Sequence, residues 1–261
     1  MLSYQHIYHA GNLADVQKHA LLAWMLAYLT RKDKPLSYIE THAGRGLYQL
    51  DAPEAVKTGE AEQGITRVLS GQLLAEGHPL HQALSETRRQ HGPAAYPGSP
   101  LIAASLLRPG DAMHFAELHP QEHAALQAAL KPWKAQVHKQ DGFELAMSLA
   151  PPTPRRGLML IDPSYEIKSD YTRIPGIISR LHRKWNVGVI ALWYPILQDG
   201  SHAPMLDALE ALALPGALRS EARFPPARDG HRMVGSGMFV VNAPFGAEAE
   251  AARLEKVLEA L

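Results

Sequence analysis

Gly157-Leu158-Met159-Leu160-Ile161-Asp162-Pro163-Ser164-Tyr165 sets four consecutive aliphatic side chains directly before an acid, a proline and an aromatic. Prolines at 151, 152 and 154 stiffen the approach and Pro163 closes the run, so 157–161 reads as the strongest strand of the chain. Upstream, 135–139 is a second strand, closed by Asp141-Gly142, and 113–117 a third, ending in Glu117, with a helix near 121–130 between them. Residues 36–40 form a fourth, followed at once by the glycine turn Thr41-His42-Ala43-Gly44-Arg45-Gly46, and 13–30 is a helix before it. Downstream come a helix near 172–184, a strand at 187–193, a helix near 202–212 and an antiparallel pair at 218–224 and 233–241. An amphipathic helix at 247–261 follows, with Leu254, Val257, Leu258 and Leu261 on one face.

Strands alternating with helices predict an α/β fold with a mainly parallel sheet and right-handed crossovers. Ligands then meet the carboxyl ends of the strands, where Glu117, Asp141 and Asp162 all stand. The first two strands lie roughly 70 residues apart, whereas a simple crossover unit needs only about 30. Residues 50–95 are therefore expected to be a helical insertion into a core made of 1–49 and 96–261.

Composition narrows the chemistry. The 261 residues are 46% hydrophobic and 20% charged, enough for a large core and inconsistent with disorder. With no cysteine, disulfides, thiolate metal sites and cysteine nucleophiles are excluded. No apolar run approaches a membrane span of about 20 residues, and the first residues lack signal-peptide character, so a cytoplasmic protein is expected. Net charge is zero, but basic residues cluster at Arg31-Lys32 with Lys34, at Arg155-Arg156 and at Arg180 with Arg183-Lys184. Arg219, Arg223, Arg228 and Arg232 concentrate late in the chain. His114, His119 and His123 span a strand, a loop and a helix, a poor arrangement for three metal ligands on one face, and no metal is expected.

The strand-end residues outline an adenosine-shaped site. Glu117 can accept from two ribose hydroxyls, and Asp141-Gly142-Phe143 can bind an adenine amino group and cover its ring. Asp162-Pro163-Ser164-Tyr165 suits attack by an exocyclic amine, whose lone pair is delocalised into its ring. Hydrogen bonds to Asp162 and to the Pro163 carbonyl would localise that pair for in-line attack on a sulfonium methyl, and Tyr165 offers a face to the base. A base inside a helix would have to be flipped out or presented single-stranded.

Asp-Pro-Ser-Tyr resembles the Asp-Pro-Pro-Tyr signature of adenine-N6 methyltransferases. Longer runs narrow the likeness: 2–12 with Ala14-Asp15-Val16 and Lys18-His19, Asp33-Lys34-Pro35, Thr41-His42-Ala43-Gly44, 96–100, Glu117-Leu118-His119-Pro120 and 191–195. Over nearly its whole length the chain resembles the RlmJ family, bacterial 23S ribosomal RNA adenine-N6 methyltransferases. That resemblance implies a Rossmann-like, class I S-adenosylmethionine-dependent core with a small helical insertion, a monomer, and one adenine target in 23S RNA. It places cofactor contacts on His19, His42, Ser99, Glu117, Asp141, Gly142 and Asp162, an RNA contact on Tyr4, and the proton acceptor on Asp162. Ser164 departs from the signature, relaxing one φ constraint and adding an N–H. DNA adenine methylation would use the same loop, although no DNA-reading motif stands out. A non-catalytic nucleic-acid-binding protein that kept the fold is the remaining alternative.

Overall fold

The computed structural model describes residues 5–227, 230 and 232–261. After a 3-10 turn at His6–Tyr8, α1 (Leu13–Thr30) leads to β1 (Ser37–Glu40) and β2 (Leu47–Gln49). Next come α2 (Pro53–Thr58), a π-helical turn (Glu62–Thr66), α3 (Arg67–Ser70), α4 (Pro79–His91), β3 (Ala95–Pro97) and α5 (Ser99–Leu106). The chain then alternates through β4 (Ala112–Ala116), α6 (Pro120–Ala129), β5 (Ala135–His138), α7 (Gly142–Leu149), β6 (Gly157–Ile161) and α8 (Asp170–Lys184). It ends with β7 (Val189–Leu197), α9 (Ala203–Glu210), β8 (Leu218–Arg223), β9 (Met233–Val241) and α10 (Ala247–Glu259).

Seven strands form one sheet in the order β5-β4-β1-β6-β7-β9-β8. The first five are parallel, and β9 and β8 close the edge antiparallel. From β1 the chain steps outward to β4 and β5, then returns to β6 and proceeds the other way to β7. The strand order therefore reverses between β1 and β6, and a crevice opens beyond their carboxyl ends.

Alternate side chains of the central strands build two cores. Tyr38, Leu158 and Leu160 join α1, α5 and α10 on one face, while Ile39, Met159 and Ile161 join α7, α8 and α9 on the other. Every residue of β6 is buried, the consequence of helices covering both faces.

Two short strands escape the sequence reading. β2 and β3 pair antiparallel from Leu47↔Pro97 to Gln49↔Ala95, and the helices of 53–91 lie between them. Strands of three residues are too short to show a period. The expected helical insertion at 50–95 is broken at Gly64, whose φ and ψ are −95° and −108°. A Cβ there would sit 2.1 Å from the Gly11 carbonyl oxygen, so only glycine lets this segment dock on the chain before α1. Ile65, Val68 and Leu84 then join the same apolar cluster as α1. β7 runs to Leu197, beyond the expected 193, because β9 pairs with it as far as Leu197↔Met233.

Candidate active site

A cavity of about 380 Å³ lies at the strand-order reversal. It is lined by His42, Glu117, Asp141 and Gly142, which follow β1, β4 and β5, and by Asp162 and Tyr165, which follow β6. α1 and α5 bring His19 and Ser99 to the same walls. Tyr4 lies outside the described residues.

After β1 the chain turns sharply. Gly44 takes φ +63°, and a Cβ on it would meet the Tyr48 hydroxyl at 2.6 Å. The turn lets the Gly44 amide donate to Glu117 Oε2 at 2.9 Å, while the His119 amide donates to Oε1 at 2.7 Å. Both carboxylate oxygens are anchored, yet each keeps further acceptor capacity toward the cavity. Burial raises the Glu117 pKa, partly offset by those amides. His42 is bonded through Nδ1 to Thr41 Oγ1 at 2.7 Å and meets the Phe143 ring edge-on at 5.1 Å. Burial lowers its pKa to about 4, so its imidazole is uncharged at neutral pH.

Asp141 caps α7 by accepting from the Glu144 amide at 3.0 Å. Gly142 is needed for space: a Cβ would lie 1.8 Å from the Thr41 carbonyl oxygen. The turns after β1 and β5 are thereby pressed together under the cavity. Ser99 donates to Glu40 Oε1 at 2.5 Å and Tyr38 to Oε2 at 2.8 Å. Glu40 is fully buried, and that burial raises its pKa to about 8.

On the other side, α1, a mostly apolar and buried helix, presents Asp15, Lys18 and His19 to the cavity. Lys18 Nζ lies 2.7 Å from Asp162 Oδ2 and 3.0 Å from Asp15 Oδ1. Burial acts to lower the Lys18 pKa, but Asp162 and Asp15 outweigh it and hold the ammonium above its usual value. Asp15 also accepts from the Gly11 amide at 2.9 Å and pairs with His6 Nε2 at 2.9 Å. Burial works against its ionised form, but His6, Lys18 and His19 win and its pKa is lowered. His19 bonds the Tyr96 hydroxyl at 2.8 Å, and burial lowers its pKa to about 3. The Lys18 ammonium is thus bracketed by two carboxylates on this wall, one of which also pairs with His6.

Tyr165 has φ +57° and is buried. Its hydroxyl donates to the Trp193 carbonyl at 2.8 Å, and Tyr171 stacks on one face at 4.5 Å. Ser164 is exposed beside it.

Lys18 and Asp15 were missed as site residues by motif reading. The available signal was charged and polar residues at i, i+3 and i+4 on a mostly apolar helix, which need partners when buried. His114 and His138 stack on neighbouring strands at 5.5 Å, but among the described residues no group of three potential metal ligands comes together.

The chain has relatives of known kind. A family model described as "Ribosomal RNA large subunit methyltransferase D, RlmJ" matches residues 33–260. The Escherichia coli (strain K12) protein named ribosomal RNA large subunit methyltransferase J is 40% identical over 252 residues, covering 96% of this chain and 90% of that one. Its Haemophilus influenzae namesake is 38% identical over 253 residues, with the same coverage. The crystal structure of protein LPL1258 from Legionella pneumophila superposes with a TM-score of 0.85 at 34% identity, covering 96% of this chain and 92% of that one. The human methyltransferase 10 domain containing protein reaches 0.50 at 10% identity over 88% of this chain and 83% of that one, a likeness of fold alone. The fold is the Rossmann-like one that the chain shares with that methyltransferase.

Proposed function

The chain belongs to the RlmJ family of large-subunit ribosomal RNA methyltransferases, and on that premise we propose how its cavity methylates the N6 amino group of an adenine in 23S ribosomal RNA. The observation that carries the proposal is the convergence of Glu117, Asp141 and Asp162, from three separate strand ends, on one cavity at the strand-order reversal.

S-adenosylmethionine supplies a sulfonium methyl group, and the residues present fit it. The cavity volume lies within the range of about 300–1,000 Å³ usual for small-ligand sites. Glu117 keeps acceptor capacity for ribose hydroxyls, and His119 Nδ1, which is buried beside it, has no hydrogen-bond partner. The carboxylates of Asp15 and Asp162 on this wall favour a cation. His42 and His19, both uncharged, line the cavity without opposing one, and Asp141, Gly142 and Ser99 complete the cofactor contacts.

Asp162 carries the chemistry in this reading. Lys18 holds Oδ2, leaving Oδ1 to accept from the adenine amino group, while the Pro163 carbonyl accepts the other N–H. These bonds localise the nitrogen lone pair, and the ionised carboxylate stabilises positive charge developing on that nitrogen. The proton then leaves toward Asp162 or water. Tyr165 supplies a wall for the adenine ring on the side that Tyr171 leaves uncovered, and Tyr4 contributes to RNA binding.

We take 50–95 as an insertion entered and left through the β2–β3 pair. We take the enzyme as a cytoplasmic monomer acting on protein-free or early-assembly RNA. Among the described residues no helix is long and apolar enough to cross a membrane. Methyl transfer from labelled cofactor to protein-free 23S RNA, followed by nuclease mapping, tests the reading. Label confined to one adenine supports it. Label absent from the RNA, or equal labelling of duplex DNA of the same local sequence, contradicts it.

A further inference from the structure

The basic cluster at Arg180 and Arg183 has no role in the cavity. Both side chains are exposed on α8, and neither has an ion-pair partner among the described residues. With Arg173 they stand at positions i, i+7 and i+10, a stripe along one side of the helix about 15 Å long at 1.5 Å per residue. A second, shallow groove runs between this stripe and α9, floored by Ile177 and bounded by Ala208 and Leu212. Its walls carry all three arginines and no aspartate or glutamate. In a chain of zero net charge, that is a local excess in which Arg180 and Arg183 have no acidic partner among the described residues.

Arg173 belongs to both walls. It lines the catalytic cavity, where its guanidinium lies over the Phe143 ring at 5.4 Å, and it also opens the groove. Its pairing with Asp170 at 3.4 Å leaves half its surface exposed. The groove is thus continuous with the site through one side chain.

We propose that this groove is a track for the RNA backbone, in which Arg180 and Arg183 bind phosphates flanking the adenine held in the cavity. The inference rests on the reading of the cavity as an RNA methyltransferase site. Guanidinium forks match phosphate oxygens and stay charged at any working pH. Exposed, unpaired arginines cost no desolvated partner to recruit. An acidic protein would also meet this charge, but the groove's continuity with the cavity favours the polymer that enters it. Phosphate contacts set register without reading sequence, which is the task a flipped-base enzyme leaves to the surface around its pocket.

The test compares the wild type with Arg180→Glu/Arg183→Glu and Arg180→Lys/Arg183→Lys doubles. Three quantities are measured: affinity for S-adenosylhomocysteine, filter binding of protein-free 23S RNA across a salt series, and steady-state methylation. The glutamate double should keep its S-adenosylhomocysteine affinity, bind RNA at least tenfold more weakly, and raise KM with kcat within about twofold. Its plot of log affinity against log salt should be shallower by about 1.4, two phosphates at roughly 0.7 each on single strands. The lysine double should keep the wild-type slope. Unchanged RNA affinity and slope in the glutamate double overturn the track, as does equal loss in both doubles, which marks a structural role. A wild type that binds RNA through these arginines without methylating it would instead defeat the catalytic reading and leave the track standing.

Discussion

Lys18 Nζ is 2.7 Å from Asp162 Oδ2, a part-buried bond joining the first helix to the loop after β6 across 144 residues of chain. The same ammonium holds Asp15, so one side chain positions the acid on which the proposed chemistry turns. Replacing Lys18 by Met should strand a carboxylate beside the cavity, at a cost of about 3–5 kcal/mol in stability. It should also free the Asp162 side chain to turn away from the adenine amine, because the bond that orients it is gone. The single-turnover rate should then fall by ~10-fold or more. A wild-type rate in a folded variant would show that Lys18 does not position Asp162.

Glu117 is fixed by two backbone amides before any ligand arrives. Such a preset acceptor loses little entropy on binding, so its removal should be felt directly in cofactor affinity. Glu117→Ala should weaken S-adenosylhomocysteine binding by ~1.5–3 kcal/mol. Calorimetry reads this, and an unchanged dissociation constant would remove Glu117 from the cofactor site.

His42 carries a pH signature. Its pKa falls from 6.5 to about 4 on burial in the folded protein. Between those values the unfolded chain binds the proton and the folded chain does not, so stability falls as pH falls through this window. The contribution, fully present above 6.5, is on the order of 3 kcal/mol. Thermal midpoints of the wild type should drop more steeply from pH 6.5 to 4 than those of His42→Gln. Parallel curves would mean that His42 is not held neutral by its surroundings.

The turn geometry makes a sharper demand. A Cβ at 142 would stand 1.8 Å from the Thr41 carbonyl oxygen, a backbone atom that cannot swing aside. Gly142→Ala should therefore destabilise the protein by about 1–3 kcal/mol or more and part the turns that carry His42 and Asp141. Denaturant unfolding and S-adenosylhomocysteine affinity should both register the change. Wild-type values in both would show that the two turns have room to separate.

Much of this site was legible from sequence because its signals are local. β6 announces itself by four aliphatic residues, and a strand in an α/β sheet delivers whatever follows it to the ligand side. Asp162, Asp141 and Glu117 follow directly from that rule. What was not legible depends on contacts between distant segments. β2 and β3 are stabilised by each other, and neither has a pattern of its own. Gly64 breaks its helix because Gly11 lies against it, which no local propensity encodes. Lys18 reads as one lysine in an apolar helix until Asp162 is placed 2.7 Å away. Tyr165 was expected to offer a face to the base, and that Tyr171, six residues on, stacks on one of its two faces could not be read locally.

The central claim is that Asp162 orients the adenine amine and offsets its developing charge, and single-turnover methylation of a 23S RNA fragment by Asp162→Ala tests it most directly. With S-adenosylhomocysteine affinity measured in parallel to confirm folding, the rate should fall by ~100-fold or more. Asp162→Asn keeps the shape and an acceptor oxygen but not the charge, and should retain only slight activity. A folded Asp162→Ala enzyme that methylates the fragment at the wild-type rate would contradict the account.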